Sequence, residues 1–140
     1  MNRVSSRETV LDLLLNQVAT RPDRPSFHHW DGDAWGIKTW QGLAADVAQV
    51  GRGLQSAGIK LGDRVALLAD NSYEWVLCDL ALQAVGAVSV PLHTQLGGEQ
   101  IGEQIAHSGS TFVIVSSIEL FSKLEPQLSK LKLGPQQLVT

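Results

Sequence analysis

From Arg64 to the C-terminus the sequence keeps switching between two hydrophobic periods. This feature limits the fold more than any other. "RVALLAD" (64–70), "AVSVPL" (87–92) and "TFVIV" (111–115) are short, continuous apolar runs, and "QLVT" (137–140) begins a fourth. Such runs predict strands covered on both faces. Between them lie segments of helical period. "NSYEWVLCDLALQAVGA" is apolar on nearly every side, with Asn71 and Glu74 at capping-box spacing. Residues 98–107 place Ile101 and Ile105 inward. Ser116 and Glu119 open a helix of about a dozen residues that turns Leu120, Leu124, Leu128 and Leu131 to the core, until Gly134-Pro135 stops it. The region therefore reads β-α-β-α-β-α-β. Short strands joined by helices require right-handed crossovers, so the predicted fold class is α/β, a parallel sheet flanked by helices.

Residues 1–63 lead into this pattern. Thr9 caps a first helix, with Asp12 three residues on and Leu11, Leu14, Leu15 and Val18 along one face. The prolines of "TRPDRP" stop it. Two short stretches rich in aromatic and β-branched residues flank Asp31-Gly32-Asp33, which predicts a β-hairpin. Trp30, Trp35 and Trp40 gather there. They are expected to pack the ribbon on the core; the other reading is an aromatic binding platform. Thr39 caps a second helix, with Leu43, Val47, Val50, Leu54 and Ala57 on one face and Gly58 at its end.

Composition excludes several functions. With 44% apolar and 18% charged residues the chain is globular, not disordered. A formal charge of -3 and a pI near 5.7 give no electrostatic basis for a nucleic-acid partner. The lone Cys78 rules out an internal disulfide and a cysteine-only zinc site; it reads as a small core residue in a reducing compartment. The apolar patch Val10–Leu15 contains Asp12 and is too short for a signal peptide or membrane span. A cytoplasmic protein without a transmembrane segment is expected.

Chemistry-bearing motifs are few. Ser108-Gly109-Ser110-Thr111 has the composition of a phosphate-binding loop but follows a helix and precedes a strand. Phosphate loops follow strands, so that backbone N–H groups gather at the strand's C-terminal end. Gly109 therefore reads as a helix stop, and Ser110-Thr111 as the lead into "FVIV". Ser116 and Ser117 are better placed, but most simply cap the next helix. There is no G-x-x-x-x-G-K-[ST] and no Pro-Lys pair. His28 and His29 point to opposite faces of a strand and cannot grip one metal together. His93 follows "VSVPL" at the C-terminal end of a strand, where ligands sit in open α/β sheets, and is the one cleft candidate. No catalytic or metal-binding residue is assigned.

An ordered set of segments carries a resemblance. Leu54 to Ile59 ("LQSAGI"), Gly62-Asp63-Arg64-Val65, Asn71 with Glu74-Trp75, Gly86-Ala87-Val88 and Pro91-Leu92 resemble the N-terminal region of adenylate-forming enzymes, the acyl-CoA synthetases and their relatives. Thr39-Trp40 and His107-Ser108-Gly109 are most similar to the long-chain fatty acid–CoA ligase branch. These residues also have structural reasons. Gly58 and Gly62 reverse the chain between helix and strand, Asn71 caps a helix, Gly86 ends it and Pro91 closes the next strand. Asp63 accepts hydrogen bonds from loop amides, or pairs with Arg64 or a neighbour.

The resemblance implies a parent that joins a fatty acid or other carboxylate to AMP, using ATP and Mg2+, and passes the acyl group to coenzyme A. It leaves open peripheral membrane association of that parent. It also implies a Ser/Thr/Gly loop ending in Pro-Lys-Gly, which would fall after Thr140. Residues 1–140 are thus expected to be the N-terminal part of the large adenylation domain, with helix, hairpin and helix in 1–63 and the β/α subdomain in 64–140. The remainder of the enzyme would then be its partner, and the piece alone would need no cofactor and be inactive. The rival expectation is a stand-alone Rossmann-like binding module without catalysis. A third is an interaction domain or regulatory paralogue.

Overall fold

The computed structural model describes residues 8–139. Residues 1–7, included in the reading of a leader-free start, and Thr140, assigned to the last strand, lie outside the described residues.

Helix α1 (Val10–Thr20) starts at a capping box. The Thr9 hydroxyl accepts the Asp12 N–H, and the Asp12 carboxylate accepts the Thr9 N–H at 2.8 Å. Leu14 is buried with Leu11 and Val18 against it, but Leu15, expected inward, is 61% exposed. A contact stripe this narrow holds i, i+3 and i+7 and leaves i+4 at its edge. Strands β1 (Pro25–Trp30) and β2 (Trp35–Thr39) pair antiparallel around a tip held by Asp31, whose Oδ1 accepts the N–H of Asp33 and Ala34. Gly32 there has φ 108°, a conformation that favours glycine. Thr39 caps α2 (Trp40–Ser56) by accepting the Gly42 N–H.

The remaining elements alternate: β3 (Arg64–Leu68), α3 (Tyr73–Ala84), β4 (Val88–Pro91), α4 (Gly98–Ser108), β5 (Phe112–Val115), α5 (Ile118–Leu124), α6 (Leu128–Leu131) and β6 (Leu138–Val139). The four strands form one parallel sheet in the order β4-β3-β5-β6. Successive residues of β3 face opposite ways. Val65 and Leu67 join the core under α1, α2 and α3, while Ala66 and Leu68 join the core under α4, α5 and α6. This two-sided burial is why the strands read as unbroken apolar runs. It also explains the helix placement: the chain moves from β3 to β4 in one direction and from β4 to β5 to β6 in the other, and right-handed crossovers then put the helices on opposite faces.

Three local expectations need correction. Ser72, not Asn71, caps α3, its hydroxyl accepting the Trp75 N–H at 3.1 Å. Ser117, not Ser116, caps α5 and accepts the Leu120 N–H. In each case the residue directly before the first helical one has the extended backbone a cap requires. The final helix does not run a dozen residues. Pro126 has no N–H to continue the ladder, so the chain passes through a 3-10 turn at Glu125–Gln127 before α6.

Candidate functional site

The strand order fixes where a ligand would go. From β3 the chain turns first toward β4 and then back past β3 to β5, so the switch point lies between the C-terminal ends of β3 and β5. A cleft of about 900 Å³ opens there. Leu67, Ile114 and Val115 form its floor; Trp75 and Cys78 of α3 stand on one side, Phe121 of α5 on the other. Asp70, Glu74, Ser116 and Ser117 supply its polar rim. Cys78, expected in the core, is half-buried and reaches this wall; burial raises its thiol pKa, and the Glu74 charge adds to that. The thiol therefore stays protonated, a poor nucleophile.

His93 is exposed and lines an adjoining depression of about 630 Å³ that shares Ala69, Asp70 and Trp75 with the cleft. Asp70 is the hinge between the two spaces, its Oδ1 accepting the Thr94 hydroxyl at 2.7 Å. Lys123 donates to the Thr94 carbonyl at 2.8 Å, which ties α5 to the same loop. The structure thus brings Asp70 to Ser116 and Asp70 to His93, but His93 and Ser116 line different spaces.

The lining is ill suited to a triphosphate. Among the described residues its charged groups are the carboxylates Asp70 and Glu74, and neither lysine nor arginine lines the cleft. A polyanion there would meet like charge with no counter-charge, so these residues do not fit phosphate groups. Among the described residues no cluster of three or more His, Cys, Asp or Glu side chains could hold a metal ion.

The tempting Ser-Gly-Ser-Thr stretch caps α4. Gly109 adopts φ 67° and ends the helix, the Ser108 and Ser110 hydroxyls bond each other at 2.7 Å, and Arg64 donates to the Ser108 carbonyl. Asp63 accepts the Lys60 N–H, the loop-amide alternative.

One cluster escaped sequence reasoning. Lys38 of β2 and Tyr73 of α3 both donate to Asp46 Oδ2 of α2, at 2.6 and 2.7 Å. The Lys38 hydrogen bond, then that of Tyr73, holds the Asp46 carboxyl below its ordinary range, and burial holds the Tyr73 phenol above its own. The His29 ring stacks on Tyr73 at 5.4 Å with its Nδ1 buried and unpartnered among the described residues; His28 is exposed on the other face. This clasp fastens the hairpin to the α/β body. Trp40 packs on the core, but Trp30 and Trp35 do not: they are 56% and 68% exposed and lean edge-on against each other at 5.7 Å. The expected packing of the ribbon's tryptophans is therefore corrected for that pair, because the clasp seats the hairpin through Phe27, His29 and Lys38 instead.

A doubly wound parallel sheet with an apolar cleft at its switch point defines the Rossmann-like class of α/β units. The sequence profile of the family described as AMP-binding enzyme matches residues 14–140, and the chain belongs to that family. It is similar to the long-chain-fatty-acid–CoA ligase FadD15 of Mycobacterium tuberculosis, 30% identical over 70% of this chain and 16% of the relative. It is likewise similar to the 2-succinylbenzoate–CoA ligase of a Geobacillus species, 30% identical over 80% of this chain and 22% of the relative. Among solved structures it is similar to the N-terminal subdomain of Klebsiella oxytoca NpsA in complex with 3-hydroxybenzoyl-AMSN, with a TM-score of 0.72, 27% identity, 79% of this chain and 27% of that one. The chain spans between 12% and 22% of the length of these and other ligase relatives. Among the described residues, no helix is long and apolar enough to cross a membrane.

Proposed function

We propose that residues 1–140 serve as the N-terminal part of the adenylation domain of an ATP-dependent fatty acid–CoA ligase, and that alone they do not catalyse the reaction. In such a ligase the carboxylate joins AMP with loss of pyrophosphate, and the coenzyme A thiol then displaces AMP. The observation that carries the proposal is the family match over residues 14–140 of a chain that spans only a small share of its ligase relatives. The fatty-acid assignment is supported by the activity printed for the mycobacterial relative and by the apolar floor of the cleft.

ATP, Mg2+ and coenzyme A are assigned to the longer protein. Among the described residues the strand-end cleft offers no cation to phosphate, and the sequence has no Pro-Lys pair. His93 would line the edge of a cleft completed by the rest of that chain. The lone Cys78 and the lack of a spanning helix among the described residues support a cytoplasmic setting. Expressing the chain joined to whatever polypeptide its gene encodes after Thr140 tests this reading. The longer protein should carry a Ser/Thr/Gly loop ending in Pro-Lys-Gly and form CoA esters of fatty acids with ATP. Ester formation with aryl acids alone would remove the fatty-acid assignment.

A second reading is a stand-alone binding module, favoured by the size of the switch-point cleft. Calorimetric titration of the 140-residue protein with ATP, AMP and acyl-CoA separates the two. Micromolar binding favours the module, and no heat favours the ligase part.

A further inference from the structure

Three of the four tryptophans, Trp30, Trp35 and Trp75, line one groove of about 790 Å³ between the hairpin and the start of α3. Exposing two large indoles side by side is costly in water, and exposed apolar patches of this kind mark binding surfaces. The groove's charges have one sign. Asp31 sits at the hairpin tip, and Glu74 in the first turn of α3. Among the described residues neither lysine nor arginine lines the groove; His28, His29 and Tyr73 are its other titratable groups. Backbone N–H bonds from Ala34 and Asp33 fix the Asp31 carboxylate in place and keep it ionised below the ordinary carboxylate range. The groove shares Ser72, Glu74 and Trp75 with the strand-end cleft but opens on the hairpin side.

We propose that this groove binds an alkylated ammonium cation. The electron-rich faces of indoles attract a weakly hydrated cation, and two carboxylates add to the same field. An anion would meet those carboxylates uncompensated, and a neutral apolar ligand would leave them unused. The inference does not depend on the ligase reading.

The tryptophans supply the assay. The folded 140-residue protein is titrated with choline and with its neutral isostere 3,3-dimethylbutan-1-ol while intrinsic fluorescence is followed. Choline is expected to give a saturable change that the isostere does not match. Trp35→Ala, at an exposed position, is expected to weaken choline binding roughly 2- to 5-fold, the range of a single exposed cation–π contact, and Glu74→Gln roughly 1.5- to 5-fold, the range of an exposed charge pair. The thermal midpoint of each variant checks that it folds. Trp40→Phe, outside the groove, should leave the affinity unchanged. Co-sedimentation with phosphatidylcholine vesicles distinguishes a lipid headgroup from a soluble cation; binding of either kind supports the proposal. Equal binding of choline and the isostere would overturn it and make the groove a simple apolar patch. No saturable change with choline or the vesicles would also overturn it.

Discussion

Asp46 is the residue on which most converges, since it joins β2, α2 and α3 through one carboxylate oxygen. Tyr73→Phe removes one of its two donors and should cost about 1 kcal/mol of stability in chemical denaturation at neutral pH. Folding lowers the Asp46 pKa, so the clasp's contribution is fully present above the ordinary value of 3.8 and is lost as pH falls through the lower folded value. The stability gap between the native protein and Asp46→Asn should therefore shrink between pH 5 and pH 2, about the range over which such carboxylates protonate. A gap that widens with acid would contradict the assignment. Gly36 belongs at this scale too. A Cβ there would meet His29 Cε1 at 2.5 Å, so Gly36→Ala should lower the melting temperature by displacing the ring from Tyr73. None of this was legible beforehand. The clasp partners lie 8 and 27 residues apart on three elements, and no local spacing rule connects them.

Elements were far more legible than contacts. Each strand of the parallel sheet coincides with an apolar run, and in the central strands β3 and β5 burial on both faces leaves nothing to alternate. Helix starts were legible to within one residue, whereas the break of the last helix at Pro126 was not. Asn71 against Ser72, and Ser116 against Ser117, are competing caps that differ only in which residue takes the extended backbone. Trp30 and Trp35 depart from expectation for a different reason: aromatic composition shows that a ribbon wants a partner, not which partner it meets. The α4–α5 packing gives a prediction at this scale. A Cβ on Gly98 would collide with the Lys123 carbonyl oxygen, a backbone atom that cannot swing aside. Gly98→Ala should cost about 1–3 kcal/mol, the range for overpacking, and should lower the cooperativity of thermal unfolding. An alanine variant as stable as the native protein would show that the two helices can separate freely.

At the scale of the molecule, the strand order β4-β3-β5-β6 sets one crevice, at the switch point, and the sequence supplied its rim without revealing its order. His93 stands at a strand's C-terminal end, as its sequence position implies, and lines a depression there, beside the cleft of Asp70 and Ser116 rather than in it. The charge around that cleft is what separates a binding wall from a machine for phosphate chemistry. Asp70 and Glu74 face it with no lysine or arginine in reply among the described residues. The central claim is that these 140 residues carry the family's N-terminal α/β architecture without its adenylation chemistry. It is tested most directly by incubating the folded 140-residue protein with ATP, Mg2+, a fatty acid and labelled pyrophosphate. No label is expected in ATP above the protein-free control, with or without the fatty acid. Fatty-acid-dependent exchange that scales with protein concentration would contradict it.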